Sequence, residues 1–409
     1  MVFDERSGFR ERFCIHFSGQ RAQQTAPKKI GVPVRILEKE HKNSLVSKYF
    51  LARCLLKIYR NGIFYVLFCN SLDFLVFSGY NDHKREGNTM QQYGYIGTYT
   101  TGRSEGIYQF QFDTETGMLS NPVLFAAVHN PKSVAHRGNI LASAIEQDGK
   151  AGVAIWDTRA LGQEPLSICC PEQQTPCHVR FSGSSLLTAN YHEGLFTVYR
   201  MDSHQLSCAR QIACGSKAGC HQSLARRGFM LVPCLEQDQV RIFDRKFSPR
   251  GVILFPQGSG PRHGVFNPKD RTLWIVTERS HELYHFAFAD TRFQQIACIP
   301  ILPADDTCSK STTAAIRLSL DRRFLYVSTR GADIMSVFAL EGQTARCIQQ
   351  VPCGGKHPRD FVLSEDGRFA LVLCRDSDDL FSIAIDPETG LLGQTVCQIT
   401  VPEGSSICL

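Results

Sequence analysis

Only two tryptophans stand in 409 residues, and the 17 cysteines include no C-x-x-C pair. The shortage of paired cysteines argues against a zinc ribbon, whose site normally recruits two such pairs. Cys214 with Cys220-His221 is the nearest approach to a metal-ligand spacing, so no metal and no cofactor is expected. Met1 to Arg12 is charged and lacks an apolar centre, which excludes a cleavable signal peptide at this start. An odd, scattered cysteine set without that peptide fits reduced thiols in a cytoplasm. A basic folded part is also missing. The formal charge is +6, but residues 1–89 hold 15 Lys and Arg against 8 Asp and Glu, leaving 30 against 31 for the remainder. Nucleic acid is therefore not an expected partner, because its recognition needs a basic stripe on the fold.

The first 89 residues change character without settling into a domain: a polar start, a basic middle from Lys28 to Lys48, then an apolar run from Gly62 to Tyr80. A membrane helix in that run would carry Asp73 near its middle, a costly carboxylate. The alternative is that residues 1–89 are an extension outside the compact fold, either translated from upstream of the natural start or disordered. Met90 opens the segment where the pattern of the rest begins, and Lys84-Arg85-Glu86-Gly87 can be encoded by a purine run of the ribosome-binding type. Translation is thus expected to start at Met90, and no membrane contact is expected for residues 90–409.

From Met90 onward one phrase recurs: a short apolar strand, a polar turn, a second apolar strand closing on a large residue, and a turn rich in Asp, Gly and Thr. Helical periodicity is absent. The closing residues are Phe110, Trp156, Tyr199, Phe243, Phe286, Phe338 and Ile383, at intervals of 46, 43, 44, 43, 52 and 45. Seven anchors at that period predict an all-β, seven-bladed β-propeller. The first and last repeats share a closing turn, Asp113-Thr-Glu-Thr-Gly and Asp386-Pro-Glu-Thr-Gly, so residues 90–409 are expected to hold the whole ring. Function in such an array belongs on the rim of the central channel.

Propellers of the WD type carry a Trp-Asp in most blades, whereas Trp156-Asp157 is the single one here. A different family matches. Gly97-Thr-Tyr-Thr with Gly106-Ile-Tyr, Ala189-Asn-Tyr with Gly194, Gly219-Cys-His221, Glu236-Gln-Asp-Gln-Val, Gly260-Pro-Arg-His263 and Tyr326-Val-Ser-Thr-Arg330 occur in order. From about Tyr93 to the C-terminus the chain resembles the propeller-type 6-phosphogluconolactonases, a fold family that includes fungal carboxy-muconate cyclases with a His, two Arg and a Glu at the active site. The resemblance implies His221, Arg262, Glu278 and Arg330 as catalytic residues. Cys220 departs from the more His- and Pro-rich segment of relatives. His263, His178 and Arg359 are second-rank substrate contacts on the same rim, followed by Asn190 and Glu146.

His221 and Arg262 precede innermost strands, while Glu278 and Arg330 follow second strands, and both kinds of location open on one face of the ring. Planar, permanently charged Arg262 and Arg330 suit a phosphate or an oxyanion. His221 is expected to titrate near neutrality, with Glu278 raising or orienting it, so that either acts as the base on water. The implied reaction is hydrolysis of 6-phospho-D-glucono-1,5-lactone to 6-phosphogluconate in the pentose phosphate route, with a small anionic sugar lactone as partner. The alternatives are another sugar-lactone hydrolase, a lactone-forming muconate-type enzyme, or a non-catalytic binding platform.

Overall fold

Alternating apolar positions in each repeat do form strands, and their pairing gives seven four-stranded antiparallel sheets. The computed structural model describes residues 55–60, 63–70, 73–80 and 91–409, apart from 160, 163, 227 and 303–309. Blade 1 holds Gln91–Thr98, Gly106–Asp113 and Val123–Ala127, and receives its innermost strand, Gly404–Cys408, from the C-terminal end. Gly404 pairs with Thr98 and Ile407 with Ile96, which closes the ring between strands about 300 residues apart in sequence. Blades 2 to 7 follow in chain order, with innermost strands Val134–Arg137, His178–Ser182, Leu224–Arg226, Pro261–Asn267, Thr312–Leu318 and Pro358–Leu363. Among the described residues the sole helical element is a 3-10 turn, Leu235–Gln237.

Packing explains why the period is read so clearly. All seven anchors are buried, and each lies on the third strand of its blade, facing a neighbouring sheet. The apolar side chains sort into seven clusters, one per pair of adjacent blades. One unites Ile96, Phe110 and Phe112 of blade 1 with Leu371 and Leu380 of blade 7, and another unites Trp274 and Leu283 of blade 5 with Val327 and Phe338 of blade 6. In five blades the ladder to the outer strand shifts register at the anchor, at Tyr199, Phe243, Phe286, Phe338 and Ile383. A bulge there adds twist to the outer half of each sheet.

The shared closing turns are physical copies. Asp113 Oδ1 accepts the amides of Glu115 and Thr116 at 2.9 and 3.0 Å, and Asp386 Oδ1 accepts those of Glu388 and Thr389 at 2.8 and 3.1 Å. Each turn ends on a glycine with positive φ, Gly117 at 76° and Gly390 at 73°. A Cβ at either position would lie 2.3 or 2.4 Å from the ring of Phe369 or Phe324, so both conformation and space require glycine.

The chain divides into two units, Met1–Gly87 and Asn88–Leu409. In the first, Leu55–Arg60, Ile63–Asn70 and Asp73–Tyr80 form a three-stranded antiparallel sheet. The apolar run considered for a membrane helix is therefore two paired strands, with Asp73 opposite Asn70 at their turn. No helix among the described residues is long and apolar enough to cross a membrane. Met90 and the Lys84–Gly87 stretch lie outside the described residues.

Candidate active site at one end of the channel

A cavity of about 590 Å³ occupies the channel and is walled by the innermost strands. Its wall carries His178, His221, Arg262, His263 and Arg359 of the expected site, whereas Glu278 and Arg330 are not lining residues. Glu278 is held against Arg262, and Arg330 against Glu278.

The backbone aims Arg262 by a bulge. Pro261 pairs with Thr277 and His263 with Val276, so Arg262 stands unpaired between them at the start of the innermost strand of blade 5. Blade 7 repeats the device: Pro358 pairs with Cys374, Asp360 with Leu373, and Arg359 is the bulged residue. The Pro-Arg dipeptide is the signal of both bulges. Glu278 follows the second strand of blade 5, where its N–H donates to the Gly260 carbonyl (2.7 Å) and its own carbonyl accepts the Thr313 amide (3.0 Å). That ties the residue to blade 6. Arg330 ends the second strand of blade 6, its Nε donating to the Thr312 carbonyl at 3.3 Å.

One carboxylate oxygen serves both arginines. Arg262 Nε is 2.7 Å and Arg330 Nη2 2.8 Å from Glu278 Oε2, with side-chain exposures of 2% and 9% for the arginines and 20% for the glutamate. Neither nitrogen has an acceptor in hydrogen-bond geometry, so these are charge contacts that leave N–H directions unspent. Arg262 Nη1 donates to the Ala314 carbonyl. Burial works against the Glu278 carboxylate, but the charges of Arg262 and Arg330 outweigh it and hold its pKa below the ordinary value. Burial, reinforced by the charge of Arg330, brings Arg262 down to about 9, still cationic at neutral pH.

Three imidazoles form a row along the wall of blades 3 to 5. His221 Nδ1 is 3.2 Å from His263 Nε2, one donating and the other accepting, and the rings of His178 and His263 are 6.3 Å apart. His178 Nδ1 lies 3.3 Å from Ser223 Oγ. His221 is fixed by its amide, which donates to the Pro233 carbonyl at 3.0 Å. Here the structure corrects the expectation that His221 titrates near neutrality beside Glu278. Its partner is His263, and burial together with the charges of Arg262 and Arg359 pushes its pKa well below the ordinary value. Burial and the Arg262 charge do the same to His263, and burial with the Arg180 charge takes His178 to about 3. All three rings are neutral at physiological pH.

Asn190 and Glu146 hold blades together. Asn190 Nδ2 donates to Glu172 Oε2 and the Gln174 carbonyl, each at 2.6 Å, while Glu146 accepts from Asn130 Nδ2 at 2.8 Å and from Thr175. The metal-like spacing at Cys214 and Cys220 recruits Cys234 instead of His221, with the three sulfurs within 4.8 Å of one another. They are the donors among the described residues with a ligand-like spacing. They lie in the apolar core between blades 3 and 4, packed as small hydrophobes with Phe196 and Val232. Residues not singled out by sequence also face the cavity: Lys132, Cys177, Gln222 and Arg317. Lys132 follows a Pro in the loop before an innermost strand, as Arg359 does within one, and that shared Pro was the available signal.

Residues 93–409 match the family described as "Lactonase, 7-bladed beta-propeller". The 6-phosphogluconolactonase of Bacillus subtilis (strain 168) is 31% identical over 334 residues, covering 76% of this chain and 95% of that protein. A crystal structure of a Lactobacillus plantarum protein superposes with a TM-score of 0.73 at 29% identity, covering 78% of this chain and 99% of that one. The periplasmic gluconolactonase of Pseudomonas aeruginosa shares the fold at 24% identity and a TM-score of 0.71, covering 78% and 98%. With its ring of seven blades and a match across nearly all of them, this chain belongs to the seven-bladed β-propeller lactonase family.

Proposed function

We propose that this protein hydrolyses a sugar lactone, and specifically 6-phospho-D-glucono-1,5-lactone to 6-phosphogluconate, as a step of the pentose phosphate pathway in a reducing, cytoplasmic setting. The observation that carries the anionic substrate is the charge of the wall. Six basic side chains line the cavity against one carboxylate, Asp360, and that carboxylate is already paired with Arg317 at 2.6 Å. Such a low-dielectric cleft of one sign concentrates small anions and speeds their entry. The name of the Bacillus subtilis relative supports the same substrate.

Hydrolysis adds a water oxygen to C1, passes a proton from that water to a base, and breaks the C1–O5 bond as the tetrahedral oxyanion collapses and O5 takes up a proton. Arg262 is suited to the oxyanion. Glu278 and the Ala314 carbonyl fix its guanidinium in place before substrate arrives, which is the condition for electrostatic stabilisation without reorganisation. Glu278 and Arg330 act in this reading as positioning residues. The base is the His221–His263 pair: burial and then the charges of Arg262 and Arg359 keep His221 neutral, and a bound anion offsets those charges, raising its basicity when water must be deprotonated.

The test is turnover of freshly prepared phosphogluconolactone and gluconolactone by the full chain, with spontaneous opening subtracted. Enzymatic opening of the phosphorylated lactone, lost by about 100-fold or more in Arg262→Ala, is the expected outcome. No rate above the spontaneous one with either lactone would sink the reading.

A further inference from the structure

We propose that Lys132 and Arg359, gathered on the ring of Tyr99, form an anion subsite that takes the phosphate of the substrate and so sets the preference for phosphorylated over neutral lactones. This deepens the reading above and rests on it for the identity of the substrate. Blades 2, 7 and 1 are neighbours in the ring, and each sends one of these residues to the same end. Lys132 precedes the innermost strand of blade 2, Arg359 is the bulge at the start of that of blade 7, and Tyr99 follows the second strand of blade 1. This is the end at which His221 and Arg262 precede, and Glu278 and Arg330 follow, their strands.

The cations converge on one ring. Lys132 Nζ is 6.0 Å, Arg359 Cζ 5.2 Å and Arg375 Cζ 5.8 Å from the Tyr99 centroid. Other cations are engaged: Arg375 by Asp376 at 2.7 Å, Arg317 by Asp360, Arg262 and Arg330 by Glu278, and Arg180, whose Nη1 donates to the Ser223 carbonyl at 3.3 Å. Arg226 stands at the opposite end of its strand, packed on Phe266 and Phe288. Lys132 and Arg359 line the cavity and make no ion pair or side-chain hydrogen bond among the described residues. The backbone of Lys132 is nevertheless held, because Ser405 Oγ donates to its carbonyl at 2.8 Å. Two half-buried cations on a fixed frame, facing a cavity whose lining carboxylate, Asp360, is paired with Arg317, are a site for a dianion.

Lys132 and Arg359 line the same cavity as Arg262 and His221. Arg359 bears electrostatically on His221, Arg262 and Glu278, and Cys177 feels Arg262, Arg359 and Lys132 together. A sugar phosphate held at its far end by Lys132 and Arg359 therefore presents its lactone to the wall that carries Arg262 and His221. Because Glu278 holds the two arginines first expected to grip the phosphate and offsets one of their two charges, the phosphate goes to the pair that has no carboxylate partner.

Isothermal titration of the full chain with inorganic phosphate and with 6-phosphogluconate decides the matter without turnover. Lys132→Met and Arg359→Gln should each weaken both ligands by about tenfold or more. Lys132→Arg should retain most of the affinity, and Lys246→Met, which removes an equal charge from an exposed loop, should match the parent. The ratio of kcat/KM for the phosphorylated over the neutral lactone should fall by a similar factor in Lys132→Met. A parent that binds neither ligand, variants that bind like the parent, or a Lys246→Met loss equal to that of Lys132→Met would each overturn the subsite. If no lactone is turned over, the proposed reaction fails while the titration still rules on the subsite.

Discussion

Replacing Glu278 with Gln removes one negative charge between two arginines and leaves the shape of the side chain nearly unchanged. Breaking a buried ion pair from one side costs about 3–5 kcal/mol. Glu278 is one-fifth exposed and the arginines less than one-tenth, so the lower end, about 3 kcal/mol, applies. In thermal unfolding that amounts to a drop of roughly 5 °C for a domain of this size. The dependence on pH gives an independent check. The folded pKa of Glu278 lies below its ordinary value of 4.5, so between the two values the unfolded chain binds the proton and the folded one does not. The contribution of the carboxylate is thus complete above about 4.5 and is lost as pH falls through the depressed folded value. The stability gap between parent and Glu278→Gln should be constant from pH 8 to 5 and narrow below that. Chemical denaturation across pH 3 to 8 measures it. A variant as stable as the parent at pH 7, or a gap that widens in acid, would refute the view that Glu278 is the counter-ion of Arg262 and Arg330.

Because burial and two arginines keep His221 neutral, kcat/KM for the lactone should show no acid limb centred near 6.5. A limb there in the pH–rate profile, abolished in His221→Gln, would mean that the ring is an ordinary solvated histidine. Phe338→Ala, at a fully buried anchor between blades 5 and 6, should lower stability by about 3–5 kcal/mol; a loss under about 1 kcal/mol in urea titration would contradict its place in that core. A chain beginning at Met90 should be soluble and as active as the full chain, since no residue of the proposed site precedes Tyr99. Activity lost on that truncation, or a native N-terminal peptide mapped upstream of Met90 by mass spectrometry, would count against it.

The ring was legible because its physics is local and repeated. Phe110, Trp156, Tyr199 and their four counterparts fill equivalent seams between sheets, so packing writes the same residue class at a near-constant interval. The gathering of Arg262, Glu278 and Arg330 also followed from topology, since positions before innermost strands and after second strands share one end. What the order of residues does not carry is depth. Glu278 reaches Arg262 because its amide is tied to Gly260 and its carbonyl to Thr313, contacts set by two blades meeting. The partner of His221 is likewise His263, 42 residues away, and its low basicity arises from burial beside arginines of blades 5 and 7. Tyr99 stands in the quoted Gly97-Thr-Tyr-Thr motif and Lys132 follows Pro131, but neither has a chemistry that marks it as a site residue within its own segment. Only ring closure by Gly404–Cys408 sets blades 7, 1 and 2 side by side.

A crystal structure of the full chain with 6-phosphogluconate bound tests the central claim most directly. The product carboxylate should lie within hydrogen-bond distance of Arg262 and beside the His221–His263 pair, with the phosphate toward Lys132 and Arg359. Product bound at a different cavity, lined by Tyr95, Arg137 and Arg159, or with its carboxylate out of hydrogen-bond reach of Arg262, would contradict the account.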